Sequence, residues 1–185
     1  MALKAIIYKA AVSFSNLDSN DYQDHSLTIA RHPSETEERM MVRLLAYVLN
    51  VPPNNDLGTL EFAKDMWEPD EPALWQKDLT GLTVHEIEVG HPEDKRLVRA
   101  CGRSKKVTVY GFSSTTPAWG ASVSAKLARV KNLTVWHLPP EQVAELGKMV
   151  DRQMDIQVTI QDDVLSVGSG DRNVEIIPNC LFGGE

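Results

Sequence analysis

The sequence predicts an α/β fold in which a mixed sheet is flanked by helices. Three observations predict it. Strand and helix patterns alternate through the middle of the chain, the N-terminal segment has the pattern of a β-hairpin, and the C-terminal segment alternates polar and apolar residues like antiparallel strands. Alternating strands and helices require parallel pairing through right-handed crossovers. With 185 residues and no low-complexity linker, the chain is most simply a single domain covering residues 1–185.

The N-terminal hairpin is predicted from two short runs rich in β-branched and aromatic residues, at 3–14 and 24–31. The stretch 15–20 between them, SNLDSN, consists mainly of turn-forming residues.

The first helix is expected to begin at Ser34, which has capping-box spacing to Glu37, and to end near Asn50, ahead of two prolines. One stripe of its surface is apolar and comprises Met41, Leu44, Leu45, Val48 and Leu49. Glu37 and Glu38 fall within this stripe, whereas Glu35, Arg39 and Arg43 fall outside it. Glu38 is therefore either a carboxylate directed toward the core or a helix-end residue that reaches water.

The remaining expected elements follow in chain order: a strand at 58–66, an acidic loop at 67–72, strands at 73–78 and 81–90, a helix after Pro92, a strand at 106–112, a helix at 117–130, a strand at 132–138, a helix from 139 to about 151, and an antiparallel β extension at 154–178.

The strand at 81–90 is expected to be the most buried one, and it carries two carboxylates. Because side chains alternate along a strand, Glu86 and Glu88 share a face with Leu82 and Val84. A buried carboxylate costs several kcal/mol unless it is paired, protonated or bound to a cation. The face therefore either meets solvent or basic partners, or opens into a cation-binding site.

Acidic residues from three segments could converge on such a site: Glu38, Asp70 or Glu71, and the Glu86/Glu88 pair. A few hard oxygen ligands completed by water are what Mg²⁺ prefers, and such an ion would assist phosphodiester hydrolysis. On the helix after Pro92, three arginines share one face at i, i+3, i+7 spacing and could hold phosphates: Arg96, Arg99 and Arg103. The alternative is a solvated or salt-bridged acidic face.

Composition excludes few classes of function. The formal net charge of −7 argues against a nucleic-acid footprint covering the whole surface, although a local basic patch remains compatible with it. Two cysteines without paired-ligand spacing, no signal-peptide pattern and no bilayer-spanning run predict a cytoplasmic protein without membrane partners. No histidine spacing supports zinc. His85 is expected to be a hydrogen-bonded core residue, and Cys101 an inert buried thiol.

Three strings carry a resemblance to a known family: Arg31–Met41 (RHPSETEERMM), Asp70–Trp75 (DEPALW) and Ile87–Pro92 (IEVGHP). They resemble the YaeQ family of bacterial proteins, and the resemblance extends from the first residues to the C-terminal tail. That family is similar in fold to the PD-(D/E)XK, or restriction-endonuclease-like, nucleases. The resemblance implies a core of one helix, three strands, a second helix and a further strand.

The resemblance also implies roles for particular residues. The helix carboxylate would be Glu38, with Glu35 as the weaker choice, and Arg31 and Ser34 would support it. The Pro-Asp pair would fall at Pro72-Ala73, so that Asp70 or Glu71 would have to replace the missing aspartate.

The Glu-X-Lys motif would fall at residues 88–90 or 86–88, and neither register contains lysine. Arg96 or Arg99 could replace it only electrostatically, because arginine does not exchange a proton.

Two functions follow as expectations. The first is a Mg²⁺-dependent nuclease whose catalytic and metal-binding groups are Glu38, Asp70 or Glu71, Glu88 and Glu86, with Arg99 assisting. The second is a protein of the same fold that binds nucleic acid or a protein partner without catalysis, since Ala73 and Gly90 occupy the positions of the aspartate and the lysine.

Overall fold

The computed structural model describes residues 3–184, which form eleven strands, four α-helices and one 3-10 turn. The strands are β1 (Ile6–Asn16), β2 (Asp21–Arg31), β3 (Leu60–Phe62), β4 (Leu74–Lys77), β5 (Thr83–Val89), β6 (Ser104–Gly111), β7 (Leu133–His137), β8 (Gln153–Gln161), β9 (Val164–Ser169), β10 (Arg172–Ile176) and β11 (Asn179–Phe182). The helices are α1 (Glu37–Asn50), α2 (Asp94–Arg103), α3 (Thr116–Lys126) and α4 (Pro140–Gly147), and the 3-10 turn is Asp65–Trp67. No helix among them is long and apolar enough to cross a membrane.

The described residues fall into two compact units, each built on one mixed sheet with helices. The first unit comprises residues 3–44 and 138–178, and the second comprises residues 45–137 and 179–184. The expected α/β class is confirmed, but the chain forms two sheets where one sheet with an extension was expected.

The sheet of the first unit has the strand order β10-β9-β8-β1-β2. The N-terminal hairpin is confirmed by antiparallel pairing of β1 with β2 from Ile6↔Arg31 to Asn16↔Asp21. The tail is antiparallel within itself, as expected, and β8 also pairs in parallel with β1 over eight residues, which the sequence did not indicate. Alternate residues of β1 form its buried face: Tyr8, Ala10, Val12 and Phe14.

The sheet of the second unit has the order β11-β7-β6-β5-β4-β3. Strands β3, β4 and β5 are antiparallel neighbours, whereas β5, β6 and β7 are parallel and are connected through α2 and α3. One core cluster joins these helices to the sheet: Leu97, Ala100, Val107, Val109, Val123, Leu127, Leu133 and Val135. Strand β5 therefore lies inside the sheet, as the sequence predicted.

Helix α1 departs from its expected pattern in two ways. Its N-terminal cap is Thr36, whose hydroxyl accepts the backbone N–H of Arg39 at 3.2 Å, so the prediction that Ser34 caps the helix was wrong. All residues from Met40 to Ala46 are buried, including Arg43, so the helix has no polar side along this stretch.

Several boundaries also differ from expectation. The strand expected at 58–66 is reduced to β3 and is followed by the 3-10 turn. Helices α3 and α4 end at Lys126 and Gly147, earlier than expected, and β11 adds an edge strand beyond the predicted tail.

Candidate functional site

Strand β5 places two acidic side chains in the interior of the second unit. Glu86 is fully buried and Glu88 is 4% exposed. In the parallel register they lie opposite Val107 and Val109 of β6, which belong to the core cluster beneath α2. The two carboxylates therefore share the face of the sheet that α2 covers.

Both oxygens of Glu86 accept hydrogen bonds. Arg103 donates from Nη2 to Oε1 at 2.6 Å and from Nε to Oε2 at 2.9 Å, and the hydroxyl of Ser104 donates to Oε2 at 2.9 Å. Hydrogen bonding to Glu86 raises the pKa of Arg103 above its ordinary value. This is the bidentate arginine–carboxylate arrangement, which satisfies a buried charge.

Glu88 is held by a different arginine. Arg96 donates from Nε to Oε1 of Glu88 at 2.8 Å, and no described residue donates to Oε2. The same guanidinium donates to the backbone carbonyls of Pro69 and Glu71, which ties the loop before β4 to the end of β5. Burial raises the pKa of Glu88, and the hydrogen bond and charge of Arg96 oppose that rise.

An open cavity of about 320 Å³ lies beside these pairs and is lined by Asp70, Arg96, Arg99 and Arg103. The side chain of Arg103 is 45% exposed, so part of its guanidinium faces solvent. Arg99 is exposed and makes no hydrogen bond or ion pair with any residue in 3–184. The three arginines of the predicted stripe therefore do line one site, although two of them are bound to buried carboxylates.

Asp70 and Glu71, the two acidic residues of the loop before β4, have different surroundings. Asp70 lines the cavity, while the Glu71 carboxylate accepts the backbone N–H of Lys64 at 2.7 Å and so fixes the loop that contains the 3-10 turn. The arrangement thus gives Glu71 a structural contact and leaves Asp70 as the loop carboxylate at the cavity.

The remaining predicted residues belong to the first unit. Glu38 lies against α4, where a Cβ added at Gly147 would be 3.2 Å from its Oε1. Glu35, predicted to lie outside the apolar stripe of α1, is 3% exposed and accepts hydrogen bonds from Arg39 at 2.5 Å and from Arg43 at 2.5 and 2.9 Å. Arg31 donates to the backbone carbonyl of Glu35 at 2.6 Å.

Ser34, the remaining predicted supporting residue, is exposed and donates its backbone N–H to Nδ1 of His32 at 3.0 Å. Glu35, Arg31 and Ser34 therefore organise the segment that leads into α1.

Sequence reasoning missed two residues of the β5 site. Ser104 directly follows α2 and contributes a donor to Glu86, which the end of the arginine helix could have indicated. Asp65 begins the 3-10 turn with a positive φ of 52°, and its charge adds to the effect of burial in raising the pKa of Glu88. Nothing in the sequence marked Asp65.

The prediction of a buried, hydrogen-bonded His85 is confirmed, whereas Cys101, predicted to be buried, is only partly buried. His85 is 5% exposed, its Nε2 lies 2.8 Å from Oγ1 of Thr108, and burial lowers its pKa to about 4. Cys101 packs against the core cluster, and burial raises the pKa of its thiol to about 11, so the thiolate is disfavoured.

The donor set does not fit a resident Mg²⁺. Within residues 3–184 no group of three or more His, Cys, Asp or Glu side chains is arranged to hold a metal ion. Both oxygens of Glu86 and one oxygen of Glu88 already accept from arginine, so among the described residues at the cavity only Oε2 of Glu88 and the carboxylate of Asp70 remain without a donor, too few oxygens for the shell that Mg²⁺ prefers.

Comparison with known proteins gives one consistent result. The family described as "YaeQ protein" matches residues 1–178. The uncharacterized protein YaeQ of Escherichia coli (strain K12) is 39% identical over 178 residues, which is 95% of both chains, and the protein of the same name from Salmonella typhi has the same identity and coverage. The crystal structure of YaeQ from Xanthomonas axonopodis pv. citri superposes with a TM-score of 0.90 at 34% identity and covers 98% of this chain and 100% of that one. The YaeQ structure from Pseudomonas syringae gives 0.88 at 33% identity, with 97% of each chain covered.

Proposed function

The chain belongs to the YaeQ family, and from that premise we propose that it binds the phosphodiester backbone of nucleic acid at the cavity beside α2 without hydrolysing it. One observation carries the proposal. Glu86 and Glu88 are each paired with their own arginine, whereas Arg99 at the same cavity has no ion pair with any described residue.

The chemistry of the arginines supports phosphate as the ligand. Arg103 uses Nε and Nη2 on Glu86 and keeps Nη1 for another acceptor, and Arg99 keeps all its donors. Guanidinium groups bind phosphate in a bidentate manner and stay protonated at any physiological pH. The two residues are one helical turn apart, about 6 Å along the axis, so both can reach one stretch of backbone.

The salt dependence of binding measures this contact. Two neutralised phosphates of duplex DNA give a slope of log K against log salt of about −1.8, which is roughly a tenfold loss between 50 and 200 mM salt. We expect fluorescence anisotropy with a labelled 20-base-pair DNA duplex, in EDTA, to show this dependence.

Matched variants separate the site from the general surface. Arg99→Ala should reduce the slope by about one, because one phosphate contact is lost. Arg129 is exposed on the same unit and makes no ion pair among the described residues, so Arg129→Ala serves as the control and should leave the slope unchanged. Equal effects of the two variants, or no binding at 50 mM salt, would refute the proposal.

A Mg²⁺-dependent nuclease is the second candidate. Two observations favour it: Oε2 of Glu88 receives no hydrogen bond from a described residue, and Asp70 lines the same cavity. In addition, α1, β3, β4, β5, α2 and β6 follow one another in the order of the PD-(D/E)XK core. Cleavage of single- or double-stranded DNA or RNA in the presence of Mg²⁺ or Mn²⁺ would establish this candidate in place of the first, provided that Glu88→Ala abolishes the cleavage.

A further inference from the structure

Two arginines of the first unit lie against one tyrosine ring. Cζ of Arg152 is 5.4 Å from the centre of the Tyr8 ring, and Cζ of Arg31 is 5.9 Å from it. Tyr8 is on the buried face of β1, while Arg31 ends the neighbouring strand β2 and Arg152 directly precedes the other neighbour, β8. We call these three residues the Tyr8 site. Cation–π attraction to the ring helps to hold both guanidinium groups in place.

Both guanidinium groups are anchored through the same atom. Nη1 of Arg31 donates to the backbone carbonyl of Glu35 at 2.6 Å, and Nη1 of Arg152 donates to that of Ile7 at 3.4 Å. The edge formed by Nε and Nη2 has no hydrogen-bond acceptor among residues 3–184 in either arginine. This edge is a fork that can bind a carboxylate or a phosphate through two parallel hydrogen bonds.

Two other arginines show what the fork binds in this chain. Nε and Nη2 of Arg43 donate to the carboxylate of Glu35. The same two atoms of Arg103 donate to the carboxylate of Glu86. In Arg31 the fork is unfilled, although its Nε is buried, and a buried donor without an acceptor is destabilising. The unfilled fork therefore indicates an oxyanion ligand.

No described carboxylate lies within ion-pairing distance of the two guanidinium groups at the Tyr8 site. Both oxygens of Glu35 accept from Arg39 and Arg43. Asp151 is exposed, and its Oδ1 accepts the backbone N–H of Arg152 at 2.7 Å. The Tyr8 site thus holds two positive charges without an acidic partner, in a chain whose formal net charge is −7. A ligand with two negative charges would neutralise both.

The hydroxyl of Tyr8 adds a third group to the site. It makes no hydrogen bond with any described residue, and it is not among the buried unpaired atoms, so it reaches solvent. A phenolic hydroxyl can donate to an anion. The site therefore offers two arginine forks and one hydroxyl donor.

We propose that the Tyr8 site binds a phosphate monoester. The phosphate of a monoester carries about two negative charges at pH 7 and has three strong acceptor oxygens, which match two forks and a hydroxyl. A carboxylate has one charge and two oxygens, so it fills only one fork. A phosphodiester also carries one charge, which distinguishes this ligand from the nucleic-acid backbone proposed for the cavity beside α2.

The probes for the test are inorganic phosphate and glycerol 3-phosphate. They are titrated into the full chain at about pH 7.5 by isothermal titration calorimetry, with chloride keeping the ionic strength constant. We expect both to bind with dissociation constants below about 1 mM. Dimethyl phosphate and acetate, which carry one charge each, should bind at least about tenfold more weakly.

Conservative variants test the groups of the site one at a time. Arg152→Lys should weaken glycerol 3-phosphate binding by about tenfold, because lysine keeps the charge but has no fork. Arg31→Lys should weaken it by at least as much, and the exposed Arg152 carries the test if loss of the contact with Glu35 prevents folding of that variant. Tyr8→Phe keeps the ring and removes one hydrogen bond, so it should weaken binding by about threefold.

Two arginines outside the site serve as controls. Arg172 in the same unit also donates from Nη1 to a backbone carbonyl, that of Lys148, but it lies on no described aromatic ring. Arg172→Lys should leave affinity within about twofold. Arg99→Ala, in the α2 cavity, should do the same, so this test and that of nucleic-acid binding can fail separately.

Three results would overturn the proposal. The first is no binding of either phosphate at about 10 mM. The second is equal affinity for acetate or dimethyl phosphate and for glycerol 3-phosphate. The third is a loss of affinity in Arg172→Lys or Arg99→Ala as large as that in Arg152→Lys, which would assign the phosphate to another place on the protein.

Discussion

Removing Arg96 tests whether the carboxylates of β5 are held by arginine, on which the proposed function depends. In Arg96→Met, Glu88, which is 4% exposed in the unmodified chain, loses its hydrogen-bond donor, and two loop carbonyls lose theirs. The loss of unfolding free energy is limited, because Glu88 can take up a proton and so become neutral. From an ordinary value of 4.5 to pH 7, that neutralisation costs about 3.4 kcal/mol, at 1.36 kcal/mol for each pH unit. We expect a destabilisation of about 3 kcal/mol at pH 7.

The destabilisation caused by Arg96→Met should depend on pH, because it arises from the charged form of Glu88. The folded pKa of Glu88 is already raised by burial, and losing Arg96 removes the group that opposes the rise. A raised pKa leaves stability intact below about pH 4.5 and lowers it as pH increases. The difference between Arg96→Met and the unmodified chain should therefore shrink to below about 1 kcal/mol at pH 4.5.

The assay is urea unfolding followed by tryptophan fluorescence at both pH values, with Arg129→Met as the surface control. Glu88→Gln removes the buried charge, so the double variant should be about 2 kcal/mol less destabilised than the sum of the single variants. A loss that is equal at both pH values, or fully additive, would refute the reasoning. Glu88 would then not depend on Arg96, and the argument against a metal at this carboxylate would fail.

Three further predictions concern stability. His85→Gln should flatten the pH dependence between pH 6.5 and 4, because the lowered pKa of His85, about 4, costs the unmodified chain up to about 3 kcal/mol as pH falls through that range; urea unfolding against pH measures this. Glu35→Leu should cost about 3 kcal/mol in thermal and urea unfolding, since it removes the acceptor of two hydrogen bonds from the buried Arg43. Gly58→Ala should lower the free energy of unfolding by more than about 2 kcal/mol, because the added Cβ would clash with the carbonyl of Lys77. Gly81→Ala, at a φ of +85° and with nothing within 4 Å, should lower it by only about 1 kcal/mol. Similar losses in urea unfolding would contradict the predicted clash.

Local patterns predicted the order of the elements well. The alternation in β5 and the i, i+3, i+7 spacing of Arg96, Arg99 and Arg103 placed the right side chains on the right faces. The same patterns could not predict that β8 pairs with β1, because that pairing joins residues more than 140 positions apart and depends on loop closure rather than local periodicity.

The arginine partners of the buried carboxylates could not be predicted from the sequence, for a related reason. Periodicity gives the face of a helix but not its rotation or height above the sheet, and these decide whether Arg96 turns to solvent or to Glu88. The apolar stripe placed Glu35 and Arg43 outside the core-facing side, and this criterion does not separate buried from exposed residues in a helix that is buried on all sides from Met40 to Ala46. In such a helix, a polar residue outside the stripe is buried as a pair.

The buried carboxylates also affect how the cavity would hold phosphate. Glu86 fixes the guanidinium of Arg103 in one orientation, so Arg103 is ordered before a ligand arrives, while Arg99 is not. Lysine cannot bridge both oxygens of Glu86 and also reach a phosphate, because it has one point charge and no planar fork. Arg103→Lys should therefore weaken oligonucleotide binding by about fivefold, and Arg99→Lys by less than about twofold, in anisotropy at 50 mM salt. If both changes had the same effect, the orientation imposed by Glu86 would contribute nothing to binding, and the charge of the two side chains alone would account for their role.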